Sequence, residues 1–285
     1  MAVDTDMKQE IEIICVGNEL LIGKTLNTNA TWLAKQATSL GIAVKRTTIV
    51  GDYVDEIATA TREALQRKPR FIITTGGLGP TFDDKTLEGI AKALNRKLRV
   101  NEEALQMVIS KYEGHFKKKI TKNELIPARV KMATLPESAK PLQNPVGTAP
   151  GVIIDTEETS IVALPGVPPE MEAIFQESVA PLLKKEAGGI AFFEKSIFAN
   201  GIVESALAPL IDQVMHGNPD VYIKSHVYVK SRISSEGEKP RIELHFSIKT
   251  RDAKTAEDRL EKAADQLSKL IEKNGGKVFF QSIEQ

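Results

Sequence analysis

Apolar runs alternate with helical patterns along the first half of this chain. Three runs rich in β-branched and aliphatic residues have the length of buried strands: 11–17, 42–50 and 71–75. Apolar side chains recur at helical spacing between Trp32 and Leu40, and a second helix is predicted up to about Arg67, with Asp52 and Asp55 as an N-cap pair. This alternation predicts a mostly parallel sheet covered by helices on both faces, which is a three-layer α/β fold.

A polar, glycine-bearing turn follows each of the three predicted strands. In parallel sheets covered by helices, ligands bind beyond the carboxyl ends of the strands. The rule places three turns on one rim: Gly17-Asn18-Glu19, Gly51-Asp52 and Gly76–Asp84. The sequence therefore predicts that a ligand site forms where these turns meet.

The second half of the chain has a different pattern. Prolines interrupt it after residue 120, until a hairpin is predicted from the strands 151–155 and 160–164 and a helix from Pro169 to Lys185. The Gly188-Gly189 pair marks the predicted boundary between a first domain at 8–187 and a second at 190–285. The second domain is predicted to be a smaller α+β unit of β-α-β-β-α-β order, in which the segment 231–240 forms a charged loop.

The turn after the third strand carries the strongest chemical signal. Glycine permits a tight turn and close approach of a ligand, so the amides of Gly76, Gly77 and Gly79 are candidate phosphate donors. The hydroxyls of Thr75 and Thr81 are candidate additional donors.

Two carboxylates, Asp83 and Asp84, follow this turn directly. They would repel a phosphate unless a divalent metal lies between them or one of them accepts a proton. The alternative is structural, because two adjacent aspartates also suit the start of a helix, and Thr81 with Asp84 fits a capping box.

Composition narrows the class of protein. The chain has 285 residues, 41% hydrophobic and 27% charged, with 38 basic and 38 acidic side chains, so its net charge favours no nucleic-acid partner. The single Cys15 excludes an intrachain disulfide and a thiolate zinc cluster. Neither a signal sequence nor a stretch long enough to span a bilayer is evident, which predicts a cytoplasmic protein with no membrane partner.

Five ordered motifs resemble the N-terminal region of the CinA (competence/damage-inducible) family, which is built on a MoaB/MogA-type molybdopterin-binding domain. They span nearly the whole first domain: Gly17–Gly23, Asn27–Asn29, Thr75–Thr86, Asn144–Gly151 and Leu164–Met171. The segment 201–205 and the split β-α-β pattern after it resemble the second domain of the same family. The resemblance implies a molybdopterin-binding-domain-like fold and, since such domains commonly assemble, a homo-oligomer.

Two departures from the family limit what the resemblance implies. The molybdopterin-binding relatives typically carry Gly-Gly-Thr-Gly and then Arg-Asp, whereas this chain has Leu78 in the glycine motif and Asp83 in place of the arginine. Exchanging a fixed cation for a carboxylate favours a metal-bridged diphosphate over a pterin phosphate. CinA proteins often continue into a nicotinamide-mononucleotide amidohydrolase domain, and that activity is not expected here, because the chain stops at Gln285.

The resemblance implies a metal-dependent pyrophosphatase of ADP-ribose or a similar nucleoside-diphosphate-linked molecule, using Mg²⁺, Mn²⁺ or Co²⁺. The alternative is a non-catalytic molybdopterin- or nucleotide-binding protein, and a third hypothesis is an interaction module with a vestigial pocket. In the first hypothesis Asp84, which matches the aspartate of the family, holds the metal or orients water, and Asp83 is an auxiliary ligand. Asp52 is a candidate metal ligand or N-cap, and Glu19 a candidate acceptor for a ribose or pterin ring.

Two further segments complete the predicted pocket. Asn144, Gly147 and Thr148 belong to a ligand-covering loop in one interpretation and to a proline-bounded connector in the other. Pro165 and Gly166 form a strand-to-helix turn on the same rim, whose backbone is a candidate phosphate contact.

Overall fold

The computed structural model describes residues 10–117, 119, 121, 125–228 and 241–279. Its contacts divide the chain into two compact units, the first ending at Gly188 and the second beginning at Gly189.

The first unit contains eight strands and eight α-helices within the described residues. The strands are β1 (Glu10–Val16), β2 (Ala43–Val50), β3 (Phe71–Thr75), β4 (Leu98–Val100), β5 (Thr134–Pro136), β6 (Lys140–Leu142), β7 (Gly151–Asp155) and β8 (Ser160–Leu164). The helices are α1 (Asn18–Leu21), α2 (Thr28–Ser39), α3 (Val54–Gln66), α4 (Thr86–Ala93), α5 (Glu102–Phe116), α6 (Pro127–Lys131), α7 (Pro168–Ile174) and α8 (Ala180–Glu186). A π-helical turn, Phe175–Val179, joins α7 to α8.

Six strands form the central sheet, in the order β2-β1-β3-β8-β7-β6. The pairings among β2, β1, β3 and β8 are parallel, and those of β7 with β8 and with β6 are antiparallel. The four parallel strands therefore bring their carboxyl ends to one edge, as the alternation of strands and helices predicted.

Successive residues of the buried strands pack on opposite faces of the sheet. On β1, Ile13 and Cys15 belong to the cluster that includes residues of α2, α7 and α8, whereas Ile14 and Val16 belong to the cluster formed with α3, α4 and α5. A strand that is apolar on both faces is typical of a sheet buried between two helical layers. The predicted three-layer α/β fold is confirmed.

The structure corrects several local predictions. Tyr53, rather than Asp52, occupies the N-cap of α3, and Asp55 lies in its first turn. Helix α5 ends at Phe116, where Lys117 takes a left-handed conformation with φ 52°. Four short elements between β3 and β7 were not predicted: β4, α6, β5 and β6. They have too few residues to show a periodic pattern.

The second unit has the predicted β-α-β-β-α-β order within the described residues. Its elements are β9 (Ala191–Asn200), α9 (Glu204–Gly217), β10 (Tyr222–Tyr228), β11 (Arg241–Thr250), α10 (Ala253–Lys273) and β12 (Lys277–Phe279). The strands form an antiparallel sheet in the order β10-β11-β9-β12. Its core joins Leu244 and Phe246 of β11 to Leu260 and Leu267 of α10. The predicted loop at 231–240 lies outside the described residues.

Among the described helices, none is both long enough and apolar enough to cross a bilayer.

Two helical glycines provide a test of the packing between α3 and α4. A Cβ at Gly89 would overlap the side chain of Ile57 on α3, whereas a Cβ at Gly114 on α5 would meet nothing. We expect Gly89→Ala to lower the free energy of unfolding by about 1–3 kcal/mol, because overpacking outweighs the gain in helix propensity. Gly114→Ala, the matched control, should raise it by about 0.5–1 kcal/mol. Urea unfolding of both variants measures the difference, and equal effects would contradict the packing described.

Candidate ligand-binding site

A cavity of about 580 Å³ opens at the carboxyl edge of the parallel strands. The turns that follow β1, β2, β3 and β8 all contribute to its wall, together with the loop before β7 and one residue of α5. Of the residues predicted from sequence, the cavity is lined by Glu19, Asp52, Thr75, Gly76, Gly77, Gly79, Asp83, Asp84, Gly147, Thr148, Pro165 and Gly166. Thr81 and Asn144 do not line the cavity, but their side chains hydrogen-bond to Asp83, Asp84 and Glu170, which do.

Gly76 has a structural role at the exit of β3. Its φ is +105°, and a Cβ there would overlap the carbonyl oxygen of Val16 on the neighbouring strand. Its amide donates to the carbonyl of Leu164 at 3.0 Å. The prediction that this amide binds a phosphate is therefore wrong, since its hydrogen is already used to join β3 to β8.

The next three amides have no such partner. Those of Gly77, Leu78 and Gly79 donate to no acceptor among the described residues. Thr86 supports the turn instead. Its hydroxyl donates to the carbonyl of Gly76 at 2.7 Å, and its side chain packs against Gly77. Successive unpaired amides in a turn of this kind form a concave donor site for an anion.

Asp83 and Asp84 converge on one hydroxyl. Oδ1 of Asp83 and Oδ2 of Asp84 each lie 2.5 Å from Oγ1 of Thr81, and Oδ2 of Asp84 also accepts from the Thr81 amide at 2.8 Å. A hydroxyl has a single proton, so it donates to only one of the two carboxylates. The structure thus brings three oxygen atoms together with one proton among them.

The aspartates do not cap a helix. Helix α4 begins at Thr86, with Lys85 at its N-cap and no side-chain cap. The reciprocal bond expected for a capping box, from the Thr81 amide to Asp84, closes a turn instead. The hydrogen bond from Thr81, followed by that from its own backbone amide, lowers the pKa of the Asp83 carboxyl, with further contributions from Lys131 and Lys85. Asp83 is therefore ionised at neutral pH.

The side-chain amide of Asn29 and the hydroxyl of Thr75 form a hydrogen-bond network that joins three elements at the cavity wall. Nδ2 of Asn29, on α2, donates to Oγ1 of Thr75 at 2.9 Å and to the carbonyl of Gly166 at 2.8 Å. Oγ1 of Thr75 in turn donates to the carbonyl of Pro165 at 2.9 Å. The predicted role of Thr75 as a hydroxyl donor to the ligand is therefore wrong, because its proton is committed to the turn after β8.

The loop before β7 is organised by Asn144. This side chain is buried, its Oδ1 accepts from the amides of Val146 and Gly147, and its Nδ2 donates to the carbonyl of Ala149 and to Oε2 of Glu170. All of its polar atoms are used within the protein, which corrects the prediction that Asn144 contacts the ligand. Gly147 and Thr148, which it positions, do line the cavity.

Glu19 and Asp52 lie at the side of the cavity formed by β1 and β2. The carboxylate of Glu19 folds back over Gly17, where a Cβ would overlap it. Oδ2 of Asp52 accepts from the amide of Asn18 at 2.8 Å, which holds the first turn of α1 against the end of β2.

The cavity wall is strongly acidic. Among the described residues, five carboxylates line it: Glu19, Asp52, Asp83, Asp84 and Glu170. The described lining residues include no lysine, arginine or histidine. Two lysines are engaged at the border, where Lys131 donates to the carbonyl of Thr81 and Lys111 donates to that of Pro145. A bare phosphate would be repelled by this wall, so an anion enters it favourably only together with a cation.

Comparison with known proteins identifies the domain. Residues 12–185 match the model of a family described as "probable molybdopterin binding domain", which is more than half of the chain. The chain belongs to this family.

Two relatives match nearly the whole chain, and one solved structure supports the family resemblance. A protein of Sulfurisphaera tokodaii is 41% identical over 267 residues, covering 94% of this chain and 97% of its own, and one of Caldivirga maquilingensis is 44% identical over 256 residues, covering 90% and 94%. The crystal structure of the CinA protein of unknown function from Thermoplasma acidophilum is 42% identical, with a TM-score of 0.55, and covers 63% of this chain and 98% of its own. The resemblance to the CinA N-terminal region is confirmed.

Three residues of this molybdopterin-binding domain were not among the predicted site residues. Asn29 stands in one of the motifs, and the sequence leaves open which of Asn27 and Asn29 caps α2 and which borders the pocket; Asn27 is the observed N-cap. Glu170 stands in the Leu164–Met171 motif, but a glutamate in a predicted helix gives no sign in the sequence that its carboxylate lines a cavity. Tyr112 of α5 lines the cavity with the guanidinium of Arg129 4.0 Å from its ring centre, and no sequence signal marks it.

Two adjacent threonines of β3 test the hydrogen-bond network. Both are buried, but Thr75 Oγ1 has two partners, whereas Thr74 Oγ1 has none among the described residues. We expect Thr75→Val to lower the free energy of unfolding by about 1–3 kcal/mol, since it strands the Asn29 amide and the Pro165 carbonyl. Thr74→Val should be neutral or raise it by up to about 1 kcal/mol, because it removes an unsatisfied buried hydroxyl. Urea unfolding of both variants measures the difference, and an equal loss of unfolding free energy in the two would refute the network.

Proposed function

We propose that this molybdopterin-binding domain binds a phosphorylated small molecule of the pterin or nucleotide type in the cavity, together with a divalent cation. The observation that carries the proposal is the pairing of three unpaired turn amides with the acidic wall beside them. The amides suit a phosphate, and the carboxylates suit the cation that accompanies it.

The size and lining of the cavity support a ligand larger than phosphate. A volume of about 580 Å³ lies within the range typical of small-molecule sites. Apolar contacts come from Leu78, Met132 and the ring of Tyr112, which the guanidinium of Arg129 contacts from another helix. Tyr112 adds an aromatic side chain to the wall that a planar heterocycle can contact. The family description supports a pterin, and the acidic wall supports a nucleotide diphosphate with its metal.

The residues present fit a divalent metal. Mg²⁺ and Mn²⁺ prefer oxygen ligands, and Mg²⁺ is commonly held by one or two carboxylates together with substrate phosphates and water. Asp83 and Asp84 offer such a pair, converging at the Thr81 hydroxyl and exposed to the cavity. Within the described part of the chain, no group of three or more histidine, cysteine, aspartate or glutamate side chains is placed to hold a metal ion.

Cleavage of a phosphoanhydride is the second candidate function, and the convergence of Asp83 and Asp84 favours it. A divalent ion at this pair would polarise a diphosphate and lower the pKa of a bound water. Asp84, held by the Thr81 amide, would keep a fixed position beside the phosphate turn, and Asp83, ionised at neutral pH, would supply the second negative charge. ADP-ribose is the first substrate to test.

Ligand binding is tested by thermal unfolding. We expect ADP-ribose, AMP or a pterin monophosphate to raise the melting temperature in the presence of Mg²⁺ or Mn²⁺. At a ligand concentration 100 times Kd, the rise should be about 5 °C or more. The rise should be smaller with a chelator present, because the acidic wall then repels the phosphates. The absence of any shift at millimolar ligand with every cation would contradict the proposed binding and favour the interaction-module hypothesis.

Turnover is tested separately. The protein is incubated with ADP-ribose and Mg²⁺, Mn²⁺ or Co²⁺, and the release of AMP is followed. We expect Asp84→Asn to lower the rate by about 100-fold or more, the usual cost of losing a group that handles the reacting water. The control is Asp55→Asn, which removes an equal charge from the exposed first turn of α3. Ligand-induced stabilisation without AMP release would leave binding as the function and exclude the hydrolysis.

A further inference from the structure

Glu170 is a carboxylate of the cavity to which the proposed function assigns no role. It lies on the first turn of α7, on the wall formed by the loop before β7, and takes no part in the Asp83–Asp84 pair. An acidic side chain on the wall of an anion site is unfavourable unless the ligand satisfies it. Neighbouring residues of the loop before β7 fix the position of its carboxylate.

Asn144 fixes the orientation of this carboxylate. Its Nδ2 donates to Oε2 of Glu170 at 2.7 Å, and its own side chain is held by the amides of Val146 and Gly147. Because Asn144 is buried and its hydrogen bonds are complete, it cannot turn away to release the carboxylate.

Gly147 makes room for the same group. A Cβ at this position would overlap both carboxylate oxygens of Glu170. The backbone at Gly147 is not left-handed, so the absence of a side chain there is explained by the close approach of Glu170 and not by the conformation of the turn. Two residues of one loop thus serve to position one acidic side chain at the cavity.

The second oxygen of the carboxylate has no partner. No described residue donates to Oε1 of Glu170, and none of the described lining residues is a cation that could pair with it. A partly buried carboxylate gains most from a donor that completes its hydrogen bonds. We propose that Glu170 determines ligand specificity, with Oε1 accepting a hydrogen bond from a donor group on the non-phosphate part of the ligand, either a ring N–H or amino group or a sugar hydroxyl. This inference rests on the proposed function.

Glu170→Gln distinguishes this role from a structural one. The glutamine oxygen can still accept from Asn144, so the loop keeps its support, while the other end of the side chain changes from an acceptor to a donor. If Glu170 only anchors the loop, binding is unchanged. If it acts only through its charge, removing that charge tightens the binding of an anionic ligand. If it accepts a hydrogen bond from the ligand, binding weakens although the charge is gone.

The experiment is a calorimetric titration of wild type and Glu170→Gln with AMP and with a pterin monophosphate, in the presence of Mg²⁺. We expect Kd to rise about tenfold or more for the ligand that the protein binds, the usual cost of losing a hydrogen bond to a charged group. Glu172→Gln is the matched control, since Glu172 lies on the same helix with the same charge but lines the adjoining cavity beside Trp32 and not the ligand cavity. Its Kd should stay within about twofold of wild type, and a melting curve should show that both variants remain folded.

Ligand analogues identify the donor. A deoxyribonucleotide lacks a sugar hydroxyl. A purine nucleotide without its amino group lacks the amino donor of the base, and a lumazine phosphate lacks the amino group of the pterin. The analogue that lacks the recognised donor should bind wild type about tenfold more weakly and should lose little further affinity in Glu170→Gln. Unchanged or tighter binding by Glu170→Gln, or losses that simply add for every analogue, would overturn the inference while the proposed function stands. If wild type binds none of the parent ligands, the proposed function itself has failed.

Discussion

The close approach of three loop backbones at the carboxyl edge of the sheet is the constraint on which the pocket depends. Gly76 leaves β3 in a left-handed conformation against the Val16 carbonyl, and its amide joins the end of β8. Gly166 then packs on the Cα of Gly76, and Asn29 joins the two turns through Thr75. Only glycine fits the first of these contacts, because a Cβ there would meet a backbone atom that cannot move aside. Once these contacts form, the next amides of the turn are left without partners, facing the rim.

The chemistry of the site follows from an imbalance of charge at a rigid edge. Of the described residues, five carboxylates and no cationic side chain line the cavity, so the phosphorylated ligand of the proposed function would need an accompanying cation there. The lysines that reach the border, Lys131 and Lys111, are bound to backbone carbonyls and stabilise loops. The family resemblance implies an arginine where this chain has Asp83. In the proposed function, the Asp83–Asp84 pair would hold the divalent ion.

Much of the fold was predictable because burial on both faces leaves an unbroken apolar run, as at Phe71–Thr75, and helices of a dozen residues repeat their apolar face. The rim was predictable for the same reason, since parallel strands bring their following turns together. Which atoms face the ligand was not predictable, because it depends on hydrogen bonds between residues far apart in sequence. Thr75 is bound to Pro165, 90 positions away, and Asn144 is bound to Glu170, 26 positions away. Sequence composition cannot tell such a committed polar group from a free one.

The most direct test of the central claim is a crystal structure of the protein with ADP-ribose or a pterin phosphate and Mg²⁺. The account predicts a phosphate oxygen within hydrogen-bonding distance of the amide nitrogens of Gly77 or Gly79, and the metal ion between that phosphate and the carboxylates of Asp83 and Asp84. It also predicts no contact between the ligand and the Gly76 amide, which remains bound to Leu164. A ligand bound with its phosphates away from this turn, or bound there with both aspartates still closed on Thr81 and no metal present, would contradict it.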